Sequence, residues 1–338
     1  AQVWRNTGSG FTNAAIPALP GVSSYASSSA WGDFDNDGRP DLLLTGSGRD
    51  SNPLAQLWRN TGSNFSHVPI PGLPGVKNSA VAWGDYDNDG RLDFLVAGRT
   101  GSGTPVIQLW QNTGDVFTNV PIPGLPGVRS GSVAWGDYDN DGRLDFLLTG
   151  ISSVPSPLTQ LWRNTEAGFT NVPIAGLPNV WGGSVAWADY DNDGRLDFLL
   201  AGATGASSSG PSATQGWRNT GSGFNNLNLA LPGIVYGAAA WGDYDNDGRL
   251  DIVLAGRSGA SKVAQVWRNI STVANTPPSA PTQLSANWAG ASINLAWAPA
   301  TDGQTPAEAL TYNLRVGTAP SAADVFAPQA ALDTGRRR

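Results

Sequence analysis

Several residue types that build functional sites are missing or scarce in this 338-residue chain. There is no cysteine, which excludes disulfides, thiolate metal sites and cysteine nucleophiles. The single histidine, His67, excludes a metal site built from several histidines and any credible Ser-His-Asp triad. Methionine is absent even at position 1, so we expect a processed product or an excised fragment. No apolar run reaches the roughly 18 residues of a membrane-spanning helix.

Glutamate is scarce as well, since Glu166 and Glu308 are the only two among 27 acidic residues. The other 25 acidic residues are therefore aspartates, a bias that a generic solvated surface does not show. Charged residues make up only 14 % of the chain, whereas Gly (43) and Pro (24) are abundant. Such a composition predicts many tight turns and argues against a mainly helical protein.

A tryptophan-led motif is repeated along the chain, and its third copy reads WGDYDNDGRLDFLLTG. The five copies begin at Trp31, Trp83, Trp135, Trp187 and Trp241, with spacings of 52, 52, 52 and 54 residues. A second marker, close to Gln-x-Trp-Arg-Asn, ends at Asn6, Asn60, Asn112, Asn164, Asn219 and Asn269. Self-similarity at this period predicts stacked or radially arranged units.

Each unit is typical of short strands and not of helices. In the third unit the predicted strands are Ser132–Trp135, Leu144–Thr149, Thr159–Asn164 and Phe169–Pro173, separated by Gly, Pro and Asn-Thr. Four strands per unit, repeated radially, predict an all-β fold, a β-propeller of four-stranded blades. The recurring tryptophans are then expected to pack between blades.

The two ends of the chain depart from this repeat. The chain opens on a third strand, and six third-strand markers face five first strands, so we expect one or more blades upstream. Residues 271–281 are a Pro-rich linker after the propeller of residues 1–270. Residues 282–338 resemble a partial fibronectin type III domain, with strands predicted at Thr282–Trp288, Ser292–Ala298 and Leu310–Gly317 and a core tryptophan, Trp297.

The aspartates concentrate in one loop of each unit, in the pattern Asp-x-Asp-Asn-Asp-Gly-Arg-x-Asp, which accounts for 20 of the 25. Ca²⁺ takes roughly six to eight oxygen ligands, and carboxylates at loop positions 1, 3 and 5 can converge on one ion. Gly at position 6 permits the sharp turn. Position 7 offers its backbone carbonyl while the Arg side chain points outward, and the aspartate at position 9 completes the ligands.

The predicted metal contacts are Asp33, Asp35, Asp37, Arg39 and Asp41; Asp85, Asp87, Asp89, Arg91 and Asp93; Asp137, Asp139, Asp141, Arg143 and Asp145; Asp189, Asp191, Asp193, Arg195 and Asp197; and Asp243, Asp245, Asp247, Arg249 and Asp251. Four carboxylates in one tight loop repel one another without a cation. Mg²⁺ fits less well because it keeps its waters, and Zn²⁺ fits poorly without His or Cys. We expect about five Ca²⁺, which would change the formal net charge from −7 to +3.

These residues resemble a known family. Segments such as Phe-Leu-Leu-Thr-Gly after an Asp-rich loop are similar to FG-GAP/VCBS repeats, found in the integrin α-subunit propeller and some fungal propeller lectins. The resemblance covers residues 1 to about 270. It implies a propeller whose loops between first and second strands bind Ca²⁺. It does not identify a ligand, because the family includes adhesins, lectins and non-catalytic parts of enzymes.

A binding surface is expected on the face opposite the metal loops, because the repeats differ there. The positions six residues before the motif tryptophans are Tyr25, Lys77, Arg129, Trp181 and Val235, and Tyr236 follows the last. Binding residues often lie on variable loops held by a rigid scaffold, and aromatic and Arg side chains are favoured at hot spots. We expect Tyr25, Lys77, Arg129, Trp181 and Tyr236 to contact a ligand; the alternative is that unconstrained loops simply vary.

The sequence favours a non-catalytic, calcium-binding, secreted or cell-surface module for adhesion or for recognition of a glycan or an extracellular protein. His67 replaces an Asn found in other repeats, and nothing nominates the pair of carboxylates that glycoside hydrolysis needs. No basic aromatic patch predicts nucleic-acid binding, and membrane insertion is not expected. Two alternatives stay open: a targeting or scaffold propeller of a larger secreted enzyme whose catalytic domain lies elsewhere, and a structural spacer in a surface array.

Overall fold

The computed structural model describes residues 2–14, 16, 19–154, 156–271, 278–289, 292–302 and 312. All regular secondary structure in this part of the chain is β-strand, which confirms the all-β prediction. No membrane-crossing helix exists among the residues described.

A hairpin precedes the first repeat, which forms a four-stranded antiparallel sheet. The hairpin strands are β1 (Val3–Asn6) and β2 (Phe11–Ala14). The first repeat comprises β3 (Ser23–Gly32), β4 (Asp41–Ser47), β5 (Pro53–Asn60) and β6 (Phe65–Val68). Neighbouring strands in the chain are neighbours in the sheet, which is the order of a propeller blade.

The second and third repeats have the same strand order and share one nine-stranded sheet. The second comprises β7 (Lys77–Gly84), β8 (Asp93–Arg99), β9 (Pro105–Asn112) and β10 (Phe117–Val120). The third comprises β11 (Val128–Arg129), β12 (Val133–Gly136), β13 (Asp145–Ser152), β14 (Pro157–Thr165) and β15 (Gly168–Val172). The short β11 pairs with β13 of its own repeat and with β9 of the preceding one, and so joins the two sheets.

The fourth and fifth repeats differ in strand number. The fourth comprises β16 (Val185–Ala188), β17 (Asp197–Ala203), β18 (Ser212–Asn219) and β19 (Phe224–Asn226). The fifth comprises β20 (Val235–Gly242), β21 (Asp251–Ser258) and β22 (Ser261–Trp267). Its sheet has three strands, in keeping with a sequence in which no fourth-strand segment follows Asn269.

A final hairpin lies in the segment predicted to resemble fibronectin type III. It consists of β23 (Thr282–Ala289) and β24 (Ser292–Ala298). The ring of Trp297 lies 5.2 Å from that of Tyr312, yet Trp297 is 36 % exposed and not a buried core residue. Apart from Tyr312, the third predicted strand, 310–317, lies outside the described residues.

The chain divides into two compact units. The first comprises Ala1–Ala188, Leu196–Gly242 and Ile252–Trp267. The second comprises Asp189–Arg195, Asp243–Asp251 and Arg268–Arg338.

The hydrophobic core of the first unit lies between the sheets of consecutive repeats. The second strand of each of the first four repeats is an apolar run because both of its faces are covered: in β8, Phe94, Leu95 and Val96 have no exposed surface. In the fifth repeat, Val253 of β21 is 45 % exposed. Leu57 of the first repeat packs in one cluster with Phe94 and Trp110 of the second. The third-strand tryptophans Trp58, Trp110, Trp162 and Trp217 are buried, as predicted. Trp4, Trp31 and Trp267 are 55 %, 52 % and 38 % exposed, so the prediction of packing between repeats is wrong for these three.

Hydrogen bonds also connect consecutive repeats of the first unit. The indole N–H of Trp83 donates to the carbonyl of Ala30 at 3.2 Å. The equivalent bonds join Trp135 to Ala82, Trp187 to Ala134 and Trp241 to Ala186. Near the other end of the first strands, the backbone N–H groups of Ser130, Gly182 and Tyr236 donate to the carbonyls of Asn78, Ser130 and Gly182. Each repeat is therefore held in register with the one before it.

Candidate metal centres

The loop between β12 and β13 shows how the aspartate motif folds. Asn140 and Gly142, at loop positions 4 and 6, have positive φ angles of 56° and 83°. Gly adopts this conformation without strain and Asn tolerates it better than most residues. The same two positions have positive φ in every repeat: Asn36 and Gly38, Asn88 and Gly90, Asn192 and Gly194, Asn246 and Gly248. The Asn-Asp-Gly segment therefore forms the sharp turn that the motif predicts.

The aspartate at position 1 ties the loop to itself. The two carboxylate oxygens of Asp137 accept hydrogen bonds from the backbone N–H groups of Asp141 (3.0 Å) and Gly142 (2.9 Å). Asp33, Asp85, Asp189 and Asp243 make the same pair of bonds. This recurring pattern fixes the direction in which the remaining oxygen lone pairs point.

The aspartate at position 9 is the buried floor of each loop. Asp145 has no exposed surface and accepts bonds from the backbone N–H groups of Asn164 (2.7 Å) and Tyr138 (3.1 Å). Asp41, Asp93 and Asp251 make the equivalent two bonds. In every repeat this residue begins the second strand, so the buried apolar strand carries the carboxylate into the loop.

Carboxylate oxygens of three aspartates converge in each of four loops, with one oxygen per residue and all three within 4.8 Å of one another. The groups are Asp33, Asp35 and Asp37; Asp85, Asp87 and Asp93; Asp137, Asp139 and Asp145; and Asp243, Asp245 and Asp251. The structure thus brings together positions 1, 3 and 9 in the second, third and fifth repeats, and positions 1, 3 and 5 in the first. In these four loops, Asp41, Asp89, Asp141 and Asp247 are the predicted carboxylate contacts that lie outside the converging groups.

The fourth loop is divided between the two units. Asp189 and Asp193 lie in the second unit, where Asp189 accepts the N–H groups of Asp193 and Gly194. Asp197 lies in the first unit and accepts the N–H of Asn219 at 2.7 Å. Each part repeats the hydrogen bonds of the other loops.

The arginine at position 7 does not point outward, so that expectation is wrong. The guanidinium of Arg143 lies 2.7 Å from the carboxylate of Asp141 in its own loop, and its Nε donates to the carbonyl of Asn164. Arg39, Arg91, Arg195 and Arg249 make the same ion pair with the aspartate two residues earlier. The pairing holds the position-5 carboxylate against the arginine in every loop, yet in the first repeat Asp37 still belongs to the converging group.

Burial raises the pKa of several of these carboxyl groups above their usual range, because a charged carboxylate is poorly solvated there. The pKa of Asp93 and that of Asp145 rise to about 7, and the pKa of Asp189 rises to about 6. The pKa values of Asp35, Asp41 and Asp137 are also raised, with burial as the main cause. Without a positive partner, the buried loop acids are therefore poorly stabilised in their ionised form at neutral pH.

The donor set fits a hard cation. In the third loop, Oδ1 of Asp139 is buried and has no hydrogen-bond donor among the described residues. Asp139 belongs to the converging group formed with Asp137 and Asp145. An unsatisfied buried carboxylate oxygen is costly unless a cation or water occupies the space in front of it. An all-oxygen donor set without His or Cys favours Ca²⁺ or Mg²⁺ over Zn²⁺.

Side-chain amides join one loop to the next. The amide of Asn88, at loop position 4, donates to the carbonyl of Gly142 in the following loop at 2.7 Å. The third-strand Asn164 donates to the carbonyl of Tyr86 in the preceding loop at 2.8 Å. Equivalent bonds run from Asn36 to Gly90, Asn112 to Phe34 and Asn219 to Tyr138. Sequence reasoning used these asparagines only as repeat markers and missed this role.

At the opposite end of the sheets, Trp181 and Tyr236 form an aromatic pair with very different exposure. Their rings meet edge to face at 5.8 Å. Trp181 is only 8 % exposed and its indole N–H donates to the carbonyl of Gly205, so it packs under the surface. Tyr236 is 59 % exposed and has a φ of 53°, an unusual conformation for a bulky residue. Of the two, Tyr236 is the one that presents its ring to solvent.

The other residues predicted to contact a ligand lie in or near the first strands of their repeats. Lys77 is the first residue of β7 and Arg129 the last of β11, and both are partly buried. Tyr25 lies in β3, but its side chain is outside the described part of the chain. Ligand contact by these residues stays a prediction.

A sequence model described as an FG-GAP-like repeat matches four segments of the chain, residues 1–44, 43–96, 85–148 and 152–200. Together the segments cover more than half of the chain. They contain the first four aspartate-rich loops, with the geometry described above.

Among individual proteins, the T-cell immunomodulatory protein of Mus musculus is 30 % identical over 151 residues, which cover 36 % of this chain and 23 % of that protein. The chain therefore spans less than a quarter of this relative. A rhamnogalacturonan lyase of Bacillus licheniformis has a TM-score of 0.42 and 13 % identity, covering 79 % of this chain and 55 % of that one. An exo-β-1,3-galactanase of Phanerochaete chrysosporium has a TM-score of 0.39 and 10 % identity, covering 85 % and 75 %. Similarities at these TM-scores carry no functional argument.

Proposed function

This chain belongs to the FG-GAP-like repeat family, and on that premise we propose that it is a Ca²⁺-stabilised β-propeller module of an extracellular protein. The observation that carries the proposal is the convergence of three aspartate oxygens in loops that share one sequence motif. Five loops give about five ions. The four-stranded sheets and the core between repeats support a radial arrangement of blades.

In each loop the positions 1, 3, 5 and 9 and the carbonyl of position 7 are the proposed contacts to the ion. The buried carboxyl of Asp145 and the unsatisfied oxygen of Asp139 support this assignment for the third repeat. Ca²⁺ is preferred to Mg²⁺ because several carboxylates and a carbonyl on one flexible loop suit its larger coordination number. A bound ion would supply the positive charge that the buried acids need. Extracellular calcium modules typically have a Kd of roughly 10⁻⁴–10⁻³ M, so the loops suit a secreted or cell-surface location.

We propose that the end of the sheets opposite the loops recognises a glycan or an extracellular protein, without catalysis. Tyr236 supports this best, because its aromatic ring is 59 % exposed at a position where the repeats carry different side chains. Lys77 and Arg129 would add polar contacts to the ligand. Trp181 would pack against the ring of Tyr236 and hold it in place. Outside the loops, the acidic residues of the repeats are Asp50, Asp115 and Glu166, which are all exposed. Each belongs to a different repeat, so they do not nominate the pair of carboxylates that glycoside hydrolysis needs.

The second candidate is a targeting or scaffold propeller within a larger secreted enzyme. The alignment with the mouse relative favours retaining this second candidate, because the aligned region is only 23 % of that protein. The proposed recognition surface is the same in both cases. What differs is whether catalysis resides in another domain.

The test of recognition is a glycan array and a panel of extracellular matrix proteins, probed with the full chain in Ca²⁺. The variants are Tyr236→Gly and Arg129→Ala, and the matched control is Ser63→Ala in an exposed turn beside the loops. We expect a ligand whose binding is lost in Tyr236→Gly and kept in Ser63→Ala. Binding that survives both variants would place the recognition surface elsewhere, and no ligand on either panel would favour a structural spacer.

A further inference from the structure

The metal loops differ in one residue that lies outside the motif. In the first, second, third and fifth repeats, the residue that follows the third-strand tryptophan has a side chain that reaches the aspartate at loop position 3. Arg59, Arg163 and Arg268 fill this place in the first, third and fifth repeats, whereas the second repeat has Gln111. The signal in the sequence is small: Trp-Gln-Asn replaces Trp-Arg-Asn once.

The arginine makes two contacts in its loop. Nε of Arg163 lies 2.5 Å from Oδ2 of Asp139, and its terminal nitrogen lies 3.2 Å from Oδ2 of Asp141. Arg59 and Arg268 bridge the equivalent aspartates at positions 3 and 5. A built-in cation therefore lies against two of the carboxylates that are the proposed metal contacts.

Gln111 reproduces the contact without the charge. Its side-chain amide donates to Oδ2 of Asp87 at 2.6 Å. No interaction between Gln111 and Asp89 accompanies it, so the position-5 carboxylate keeps only the pair with Arg91. With four aspartates and one arginine, the second site has a formal charge of −3. The first, third and fifth sites, with four aspartates and two arginines, have −2.

We propose that Gln111 makes the second loop the tightest Ca²⁺ site of the chain, and that Arg59, Arg163 and Arg268 weaken the sites they contact. The inference rests on the proposed function, because it ranks sites that the function assumes. The arginines are positioning residues that hold the position-3 carboxylate in place. Their positive charge also repels the ion and so lowers the affinity of the site for Ca²⁺. Occupancy would then be stepwise, with the second repeat loaded at the lowest Ca²⁺ concentration.

The size of the effect follows from the distances. An ion bound to one oxygen of Asp139 would lie about 5 Å from a guanidinium on the other oxygen, given Ca²⁺–oxygen distances of roughly 2.3–2.6 Å. Repulsion between a divalent and a monovalent charge at this distance amounts, even in a water-like dielectric, to about a tenfold change in Kd. The guanidiniums are partly exposed, so we expect the ratio to shrink as salt concentration rises.

The experiment is calorimetric titration of the calcium-free full chain with Ca²⁺, in wild type, Gln111→Arg and Arg163→Gln. Gln111→Arg installs the side chain that other repeats carry at the same place, so we expect it to fold, and circular dichroism checks this. The control is Ser102→Arg, which adds the same charge in the exposed loop at the other end of the same sheet, about 20 Å away by strand length. We expect one site in the wild type to bind about tenfold more tightly than the rest. Gln111→Arg should abolish that step, Arg163→Gln should add a second one, and Ser102→Arg should change neither.

The outcomes separate this inference from the function on which it rests. Sites of equal affinity in the wild type, or a tight step that survives Gln111→Arg, would overturn the ranking and leave calcium binding intact. A Ser102→Arg effect equal to that of Gln111→Arg would assign the change to net charge and also overturn it. A wild-type chain that binds no Ca²⁺ at all would overturn both.

Discussion

The two ends of the repeat sheets contrast sharply in this protein. At the loop end, position by position, the same backbone groups bond to the same aspartates in every repeat, as with Asp137 and Asp145. At the opposite end, the equivalent positions hold Asn78, Ser130, Gly182 and Tyr236, which share positive φ but no side-chain chemistry. The ladder of backbone hydrogen bonds through these residues needs no particular side chain.

The two ends of the sheets are constrained by different features of the chain. The loop end is constrained by side chains, because the carboxylates and asparagines themselves make the bonds within and between loops. The opposite end is constrained by backbone conformation, which leaves its side chains free to differ. That freedom is what a recognition surface requires. Changes at the loop end should therefore reduce stability, and changes at the opposite end should alter binding with little effect on stability.

The largest expected effect is a difference in stability between substitutions at the two ends of one strand, β13. Asp145→Ala removes the acceptor of two buried N–H groups and one proposed metal contact, and should lower the free energy of unfolding in Ca²⁺ by about 3–5 kcal/mol. Ser152→Ala, at the other end of β13, should change it by no more than about 0.5 kcal/mol. Urea unfolding of both variants makes the comparison. Similar losses in the two would contradict the difference between the ends.

The pH dependence of stability should be the next largest effect, and its sign depends on Ca²⁺. The pKa of Asp93 and that of Asp145 are raised to about 7 in the folded chain, above the ordinary value of 3.8. In chelator the folded state then holds more protons, so stability should fall as pH rises from about 4 to about 7, by an amount on the order of a few kcal/mol. In Ca²⁺ the trend should flatten or reverse, because the ion binds the ionised groups. Melting curves across this pH range with and without Ca²⁺ test it; parallel curves would be contrary to the account.

The hydrogen bonds between loops should contribute less to the free energy of unfolding than the buried carboxylates do. Asn164→Ala removes a buried amide that donates to Tyr86 of the preceding loop, and should cost about 2 kcal/mol. Asn60 donates within its own repeat, to Pro40, so Asn60→Ala should cost about 1 kcal/mol or less. Chemical unfolding of the two variants measures the difference. An equal cost would mean that the bond across repeats adds nothing.

The smallest effect on stability should come from Tyr236 at the variable end. Tyr236→Gly relieves the positive φ but loses the contact with Trp181, so the free energy of unfolding should change by less than about 1 kcal/mol in either direction. The same variant should lose the ligand found in the binding screen. A large destabilisation would show that the ring is a packing element and not a recognition residue.

Much of the fold could be predicted from the sequence, because the repeat exposes it. The four strands of the third unit occur where the pattern of residues 132–173 places them, and the third-strand tryptophans of the first four repeats are buried as expected. Periodicity and turn residues are local signals, and five copies reinforce each one.

The details of the site were less predictable because they depend on contacts distant in the chain. The inward fold of Arg143 onto Asp141, the reach of Arg163 to Asp139 and the amide bonds between loops all join segments whose geometry the fold decides. The burial of Trp181 is a similar case: its position suggested an exposed residue, but β17 and residue 205 cover it.

Thermal unfolding of the full chain in Ca²⁺ and in chelator, with Mg²⁺ as the control ion, tests the central claim most directly. The account predicts a melting temperature that is clearly higher in Ca²⁺ than in chelator, with a smaller gain in Mg²⁺. Equal melting temperatures in all three conditions would contradict it, because loops with buried carboxylates that gain nothing from the ion cannot be what stabilises these repeats.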